Sequence, residues 1–193
     1  MLSWLANAWR VPELRRRVLF TAAVLAVYRL GSWIPAPGVD QNALQSLFSG
    51  GGILTLLNLF SGSALSRFSI FALGIMPYVT ASIILQLMTV VVPTLERLQK
   101  EGEAGYAKIN QYTRYLTVAL AAMQALGYAF LFKRENALPN VNAGRLVIII
   151  VTLTAGCTLL MWLGEQITKR GVGNGISLLI FASILAYAPS GIS

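Results

Sequence analysis

An uncharged apolar stretch of eight residues, 53–60, lies just ahead of a charge-free run, 69–92, with Ser61-Gly62-Ser63 opening the short polar linker between them. As a helix the first stretch reaches only about 12 Å, whereas the hydrocarbon core of a bilayer is about 30 Å thick. Such a segment has to enter a membrane and return, and non-helical backbone at that depth survives only when buried in protein or lining a water-filled cavity. The pattern therefore predicts the wall or stopper of a pathway rather than an anchor.

The rest of the chain supports a membrane setting. Hydrophobic residues make up 56% of the sequence and charged ones 11%, and the mean hydropathy is +0.67. Long apolar runs predict an all-α integral membrane fold with transmembrane helices over 18–34, 69–93, 115–132, 146–164 and 175–190, plus the half-helix. Apolar residues run continuously instead of alternating, which argues against β-barrel strands. Arg10, Arg15, Arg16, Arg17, Arg97, Lys100, Lys108, Arg114, Lys169 and Arg170 fall on one side of these spans, and only Arg67, Lys133, Arg134 and Arg145 on the other. The positive-inside rule then puts the N-terminus in the cytoplasm. No small-x-small cleavage site follows the first apolar run, so an uncleaved first span is expected. Trp4, Leu5, Ala8 and Trp9 recur at helical spacing within 1–17 and predict a short interfacial helix.

Little bond chemistry is available. The chain has no histidine and one cysteine, Cys157, and no carboxylate falls within the four later spans; Asp40 and Glu165 sit at span edges. Intramembrane acids are the usual mark of proton-coupled or proteolytic sites, so most enzymes are disfavoured and no cofactor or metal is expected. The run Gly171-Val172-Gly173-Asn174-Gly175 lacks the preceding strand and following Lys-Ser/Thr of a phosphate loop, and reads as a tight turn.

A few residues remain to be explained. Arg29 is the one charge inside a span and lies near enough to its end to anchor by snorkelling. Pro77 and Gly74 permit a kink in the second span. Ile75 with Val79, and Ile176 with Ile180, repeat an i, i+4 aliphatic spacing on two helices. Periodicity alone favours ordinary packing for these four; the alternative is a constriction that gates by dewetting. Gln86 and Gln124 would hydrogen-bond across helices, either with each other or as a polar seam. Residues 96–105 read as a solvated charged loop, and Leu160 as a lipid-facing position.

The run Phe60-Ser61-Gly62-Ser63-Ala64-Leu65-Ser66-Arg67-Phe68-Ser69-Ile70-Phe71-Ala72-Leu73-Gly74-Ile75-Met76-Pro77-Tyr78 closely resembles the second-span signature of bacterial SecY, the channel family of the Sec translocon. Met161-Trp162-Leu163-Gly164-Glu165-Gln166-Ile167-Thr168, continuing through Gly171-Val172-Gly173-Asn174-Gly175-Ile176-Ser177, is a second match. Tyr28-Arg29-Leu30-Gly31, Ile34-Pro35-Ala36-Pro37-Gly38, Lys100-Glu101-Gly102-Glu103 and Gln111-Tyr112-Thr113-Arg114 fit as well.

The resemblance implies one half of a ten-span inverted-repeat channel in the bacterial inner membrane, passing secretory polypeptides and releasing transmembrane segments sideways. It makes 53–67 a plug, with Ile53, Leu56, Leu57, Asn58, Phe60, Ser61 and Arg67, and it makes Ile75, Val79, Ile176 and Ile180 a pore ring. Thr80, Gln86 and Gln124 fall on the lateral gate. Implied partners are SecE-like and SecG-like subunits, the SecA ATPase, the ribosome, signal-sequence-bearing polypeptides, the lipid bilayer and the C-terminal half. The chain departs from the family in having five spans of ten, a Gly50-Gly51-Gly52 lead into the plug, and Ser63 where glycine is usual. By itself it is not expected to translocate. The alternatives are half of a secondary solute transporter with broken helices, disfavoured because 53–60 offers only Thr55 and Asn58 as polar groups, and an insertase or scaffold without a pore.

Overall fold

A computed structural model describes residues 11–37, 39, 42, 44, 48, 52–134, 138 and 142–187. The described elements are α1 Pro12–Gly31, α2 Ile53–Phe60, α3 Met76–Val91, α4 Pro93–Lys100, α5 Glu103–Arg134, α6 Ala143–Arg170 and α7 Gly175–Tyr187. The expected interfacial helix and the glycines at 50 and 51 lie outside the described residues. Helix α1 starts at Pro12, whose missing N–H costs nothing in a first turn. Arg15, Arg16 and Arg17 thus belong to the same helix as the apolar run, and no break separates them at residue 17.

Two further boundaries differ from expectation. Residues 69–75 are not helical: helix α3 begins only at Met76, after a chain of turns over residues 61–75. The charged segment beyond α3 is not a loop. Pro93 forces Val92 into extended backbone (φ −100°, ψ 112°), α4 leaves at 99° to α3, and a turn at Gly102 (φ +75°) opens α5. A glycine is needed at 105 because a Cβ there would stand 1.6 Å from the Leu98 carbonyl oxygen. Helix α5 has 32 residues, about 48 Å, so its first turns extend past the apolar run that begins at residue 115.

By length and composition, two helices among the described residues can cross a membrane, α5 and α6, with α3 and α4 a third if the bent pair is one span. Helices α5 and α6 are antiparallel: Arg114 pairs with Glu165 near one end, and Phe132 shares a cluster with Ile149 near the other. Thr117, Ala121, Ala125 and Ala129, every fourth residue of α5, are each 0% exposed. Small side chains in that register let two backbones approach closely, the usual basis of helix association in lipid. The outer surface is apolar, with Val90, Val91, Met123 and Val151 all exposed. Leu160 is not part of it; it is 1% exposed, packed among Val24, Phe71 and Leu163.

The turn 171–175 is the tight reversal that Asn-Gly punctuation predicts. Asn174 Oδ1 accepts the Ile176 N–H at 3.0 Å, satisfying an orphan donor at the start of α7. Thr168 Oγ1 accepts the Gly175 N–H at 2.9 Å, and Thr21 Oγ1 accepts the Val172 N–H at 3.2 Å, tying the turn to α1.

Candidate functional site

The half-helix α2 runs over Ile53–Phe60, the bounds of the apolar stretch. The next segment, residues 61–75, is mostly buried without being helical or part of a sheet, a condition that demands a partner for every backbone group. Much of the demand is met locally. Ser63 N–H donates to the Asn58 carbonyl at 3.0 Å, Ser69 N–H to Ala64 at 2.9 Å, Ala72 N–H to Ser69 at 2.9 Å and Gly74 N–H to Phe71 at 2.8 Å. Side chains supply acceptors too: Asn58 Oδ1 takes the Ser66 N–H at 2.9 Å, and Ser61 Oγ the Leu65 N–H at 3.1 Å. Asn58, expected in the plug, is therefore also the clasp that closes the end of α2.

Neighbouring elements make room for this segment. A Cβ on Gly156 of α6 would stand 1.9 Å from the Ile70 carbonyl oxygen, and one on Gly31 of α1 would stand 2.1 Å from the Phe71 ring. Gly62 (φ +63°) lies against Ser183 of α7, whose Cα would be 3.1 Å from a Cβ at 62. Ser63, at φ +67°, holds a left-handed conformation that favours glycine, which gives physical meaning to the glycine usual there. At the far edge, residues 34–36 pair with 68–70: Ala36 N–H donates to Phe68 at 2.8 Å and Ile70 N–H to Ile34 at 3.1 Å. Arg67 stacks over Trp33 at 4.1 Å.

Of the remaining half-helix residues, Leu57 is half-buried while Leu56 and Phe60 are exposed at 62% and 41%. The side chain of Ile53 lies outside the described residues. Ser61 is buried.

Ile75, Val79, Ile176 and Ile180 come together. All four join one apolar cluster with Tyr28, Phe71, Leu163 and Leu179. Ile75 stands at the N-cap of α3, not within the helix, and its carbonyl accepts the Val79 N–H at 3.1 Å, which preserves their shared face. Ile75 is 7% exposed, and the other three are half-buried, so this aliphatic group is only partly enclosed.

Gln86 and Gln124 do not meet. Gln86 is exposed on α3, at the rim of a cleft of about 230 Å³ shared with Ser82, Thr89, Gln99, Asn110 and Thr113; Gln124 is half-buried on α5. Thr80 is exposed, its hydroxyl donating to Met76 at 2.9 Å.

Two features escaped the sequence. Arg114 Nε donates to Glu165 Oε1 at 2.8 Å and its Nη2 to Oε2, a two-pronged ion pair between α5 and α6. It lines a polar cleft of about 270 Å³ with Tyr78, Asn110, Thr168, Lys169 and Asn174, bordered by Ile176. Both residues fall just beyond the same end of adjacent apolar runs, a signal legible once those runs are paired. The second is Arg29, which does not merely snorkel: its guanidinium donates to the Gly62 carbonyl at 3.2 Å and to the Ala186 carbonyl at 3.5 Å.

The model of the SecY family matches residues 69–193. The protein translocase subunit SecY of Streptomyces scabiei is 50% identical over 204 residues, covering 98% of this chain and 47% of that protein. The chain thus spans about half the length of this relative. Among solved structures, a protein-conducting channel superposes with a TM-score of 0.65 at 21% identity, covering 92% of this chain and 38% of the other. Sec61 in the canine ribosome–channel complex from the endoplasmic reticulum gives 0.64 at 21%, with the same coverage. At this identity the shared property is the fold, while the family match takes in well over half of the sequence. The chain belongs to the SecY family.

Proposed function

We propose that this chain is the N-terminal half of a multi-pass protein-conducting channel of the bacterial inner membrane, its N-terminus in the cytoplasm and its spans five. Residues 53–67 are the plug. Ile75, Val79, Ile176 and Ile180 supply this half's share of an aliphatic pore ring, and α3 and α5, with Thr80, Gln86 and Gln124, form one wall of a lateral gate. The observation that carries the reading is the meeting of those four aliphatic side chains, from α3 with its N-cap and from α7, in one partly enclosed cluster beside the segment that follows a half-helix too short to cross a bilayer.

A narrow apolar ring excludes water and ions by dewetting and still deforms around an apolar or extended polypeptide. The half-helix would stopper the resting ring. No bond is made or broken in this scheme; a ribosome or the SecA ATPase drives the polypeptide, and SecE-like and SecG-like subunits together with the C-terminal half complete the channel. The ribosome as a partner is supported by the Sec61 fold relative in its ribosome–channel complex; the other partners rest on the family resemblance.

The test is ion conductance across planar bilayers holding the channel assembled from this chain and a C-terminal half. Deletion of 53–67 is expected to raise resting conductance by well over about tenfold above the intact channel. Unchanged conductance would remove the plug from the account.

A further inference from the structure

Arg29 stands near the C-terminal end of α1, beside the chain that leaves α2 and against the last described turn of α7. Helix α1 finishes at Gly31, two residues beyond it, and α2 finishes at Phe60, two residues before Gly62. Both ends carry the negative pole of a helix dipole, which favours a cation beside them. The Arg29 guanidinium is that cation, bonded to the Gly62 and Ala186 carbonyls. Beside it the Tyr28 hydroxyl lies 2.6 Å from Ser183 Oγ and 3.4 Å from the Ser61 carbonyl. The Ser183 hydroxyl donates to Leu179 at 2.8 Å, so Tyr28 gives its one proton chiefly to Ser183, and the contact to the Ser61 carbonyl is the weaker branch of a shared hydrogen bond. Tyr28 is itself 3% exposed and stacked on Phe71 at 5.9 Å.

We infer that Arg29 and Tyr28 are positioning residues that latch the half-helix in its resting place, at a pivot formed by Gly62 and Ser63. This rests on the plug reading above. Both pivot residues have positive φ, 63° and 67°, and the polar contacts of the latch to this segment are made to backbone carbonyls at 61 and 62. Beyond the pivot, Ala64, Leu65 and Phe68 are 0%, 1% and 0% exposed, and Ile70 and Phe71 are wedged against Gly156 and Gly31, so displacement is confined to α2 and its pivot. Swinging α2 aside breaks the bond to Gly62 while the one to Ala186 persists, leaving the cation with α7.

The experiment measures resting conductance of the assembled channel with Arg29→Gln and with Tyr28→Phe, each with residues 53–67 intact and deleted. With the plug present, Arg29→Gln is expected to raise resting conductance roughly tenfold, about what one net charge-assisted hydrogen bond contributes to an equilibrium. Tyr28→Phe should raise it less. In the deleted background neither should add anything. If the deletion leaks and both substitutions leave the intact channel tight, the latch is wrong and the plug reading stands. If the substitutions add to the leak of the deleted channel, they act elsewhere and the latch is again wrong. A tight channel after deletion overturns both. Should Arg29→Gln not accumulate in membranes, Tyr28→Phe, which keeps the aromatic packing, carries the same comparison.

Discussion

Helices α5 and α6 and the segment 52–75 contribute to one apolar cluster, from Leu65, Phe68 and Leu73 to Ala125 and Leu153, yet they are held in opposite ways. The long helices satisfy their own backbones, so neighbours need only offer shape, and alanines at every fourth position suffice. The segment 52–75 has one short helix and then a buried course of turns. Its backbone depends on Asn58 and Ser61 side chains, on the paired stretch at 34–36, and on glycines in other elements that stand aside for it. A regular span tolerates change one side chain at a time, whereas the irregular segment is built from several elements at once and is sensitive to changes far away in sequence.

The largest expected break lies on the segment's far wall. Gly156→Ala places a methyl carbon 1.9 Å from the Ile70 carbonyl oxygen. Backbone cannot yield cheaply there, so a loss of about 3 kcal/mol is expected, read as a fall in the thermal midpoint of the detergent-purified channel. Asn58→Ala removes the acceptor for Ser66 N–H and should cost about 2 kcal/mol through a buried donor left unpaired; faster proteolysis after residue 60 would report it. Arg114→Gln breaks the ion pair joining α5 to α6. Because Arg114 is 46% exposed, about 1 kcal/mol is expected, shrinking as salt rises. Ser63→Gly relieves the left-handed backbone and should stabilise by about 0.5 kcal/mol, the one change in this set expected to raise the unfolding midpoint. Equal costs at Gly156 and at an exposed position such as Val151 would dissolve the contrast between the two regions.

The same contrast governs what could be read from the sequence. The bounds of α2 were legible because glycine on one side and Ser-Gly-Ser on the other fence an apolar run. The core of α6 was legible because it is uncharged over its length. The start of α3 was not: residues 69–75 are as apolar as the helix beyond them, and hydropathy reports burial, not backbone conformation. Gly74 and Pro77 were the local hints, read as a kink rather than a beginning. The polar first turns of α5 were missed for the converse reason, since a helix that leaves the apolar layer loses its hydropathy signal. Pairing the four aliphatic positions needed the family resemblance, because i, i+4 spacing is common to packed helices, and the structure then brought them into one cluster. Leu160 was misassigned because a continuous apolar span does not reveal which face meets lipid. Arg29 was visible as an oddity, but its partners lie 33 and 157 residues away and emerge only from the fold.

The central claim is that a polypeptide passes beside Ile75, Val79, Ile176 and Ile180. The direct measurement places a photocrosslinking amino acid at Ile180, and as control at the exposed α6 position Val151, in membranes holding the assembled channel and an arrested secretory polypeptide. Capture at 180 and not at 151 is the predicted result. Engagement of the polypeptide without capture at 180, or equal capture at both, would contradict the ring and leave those four side chains as ordinary packing.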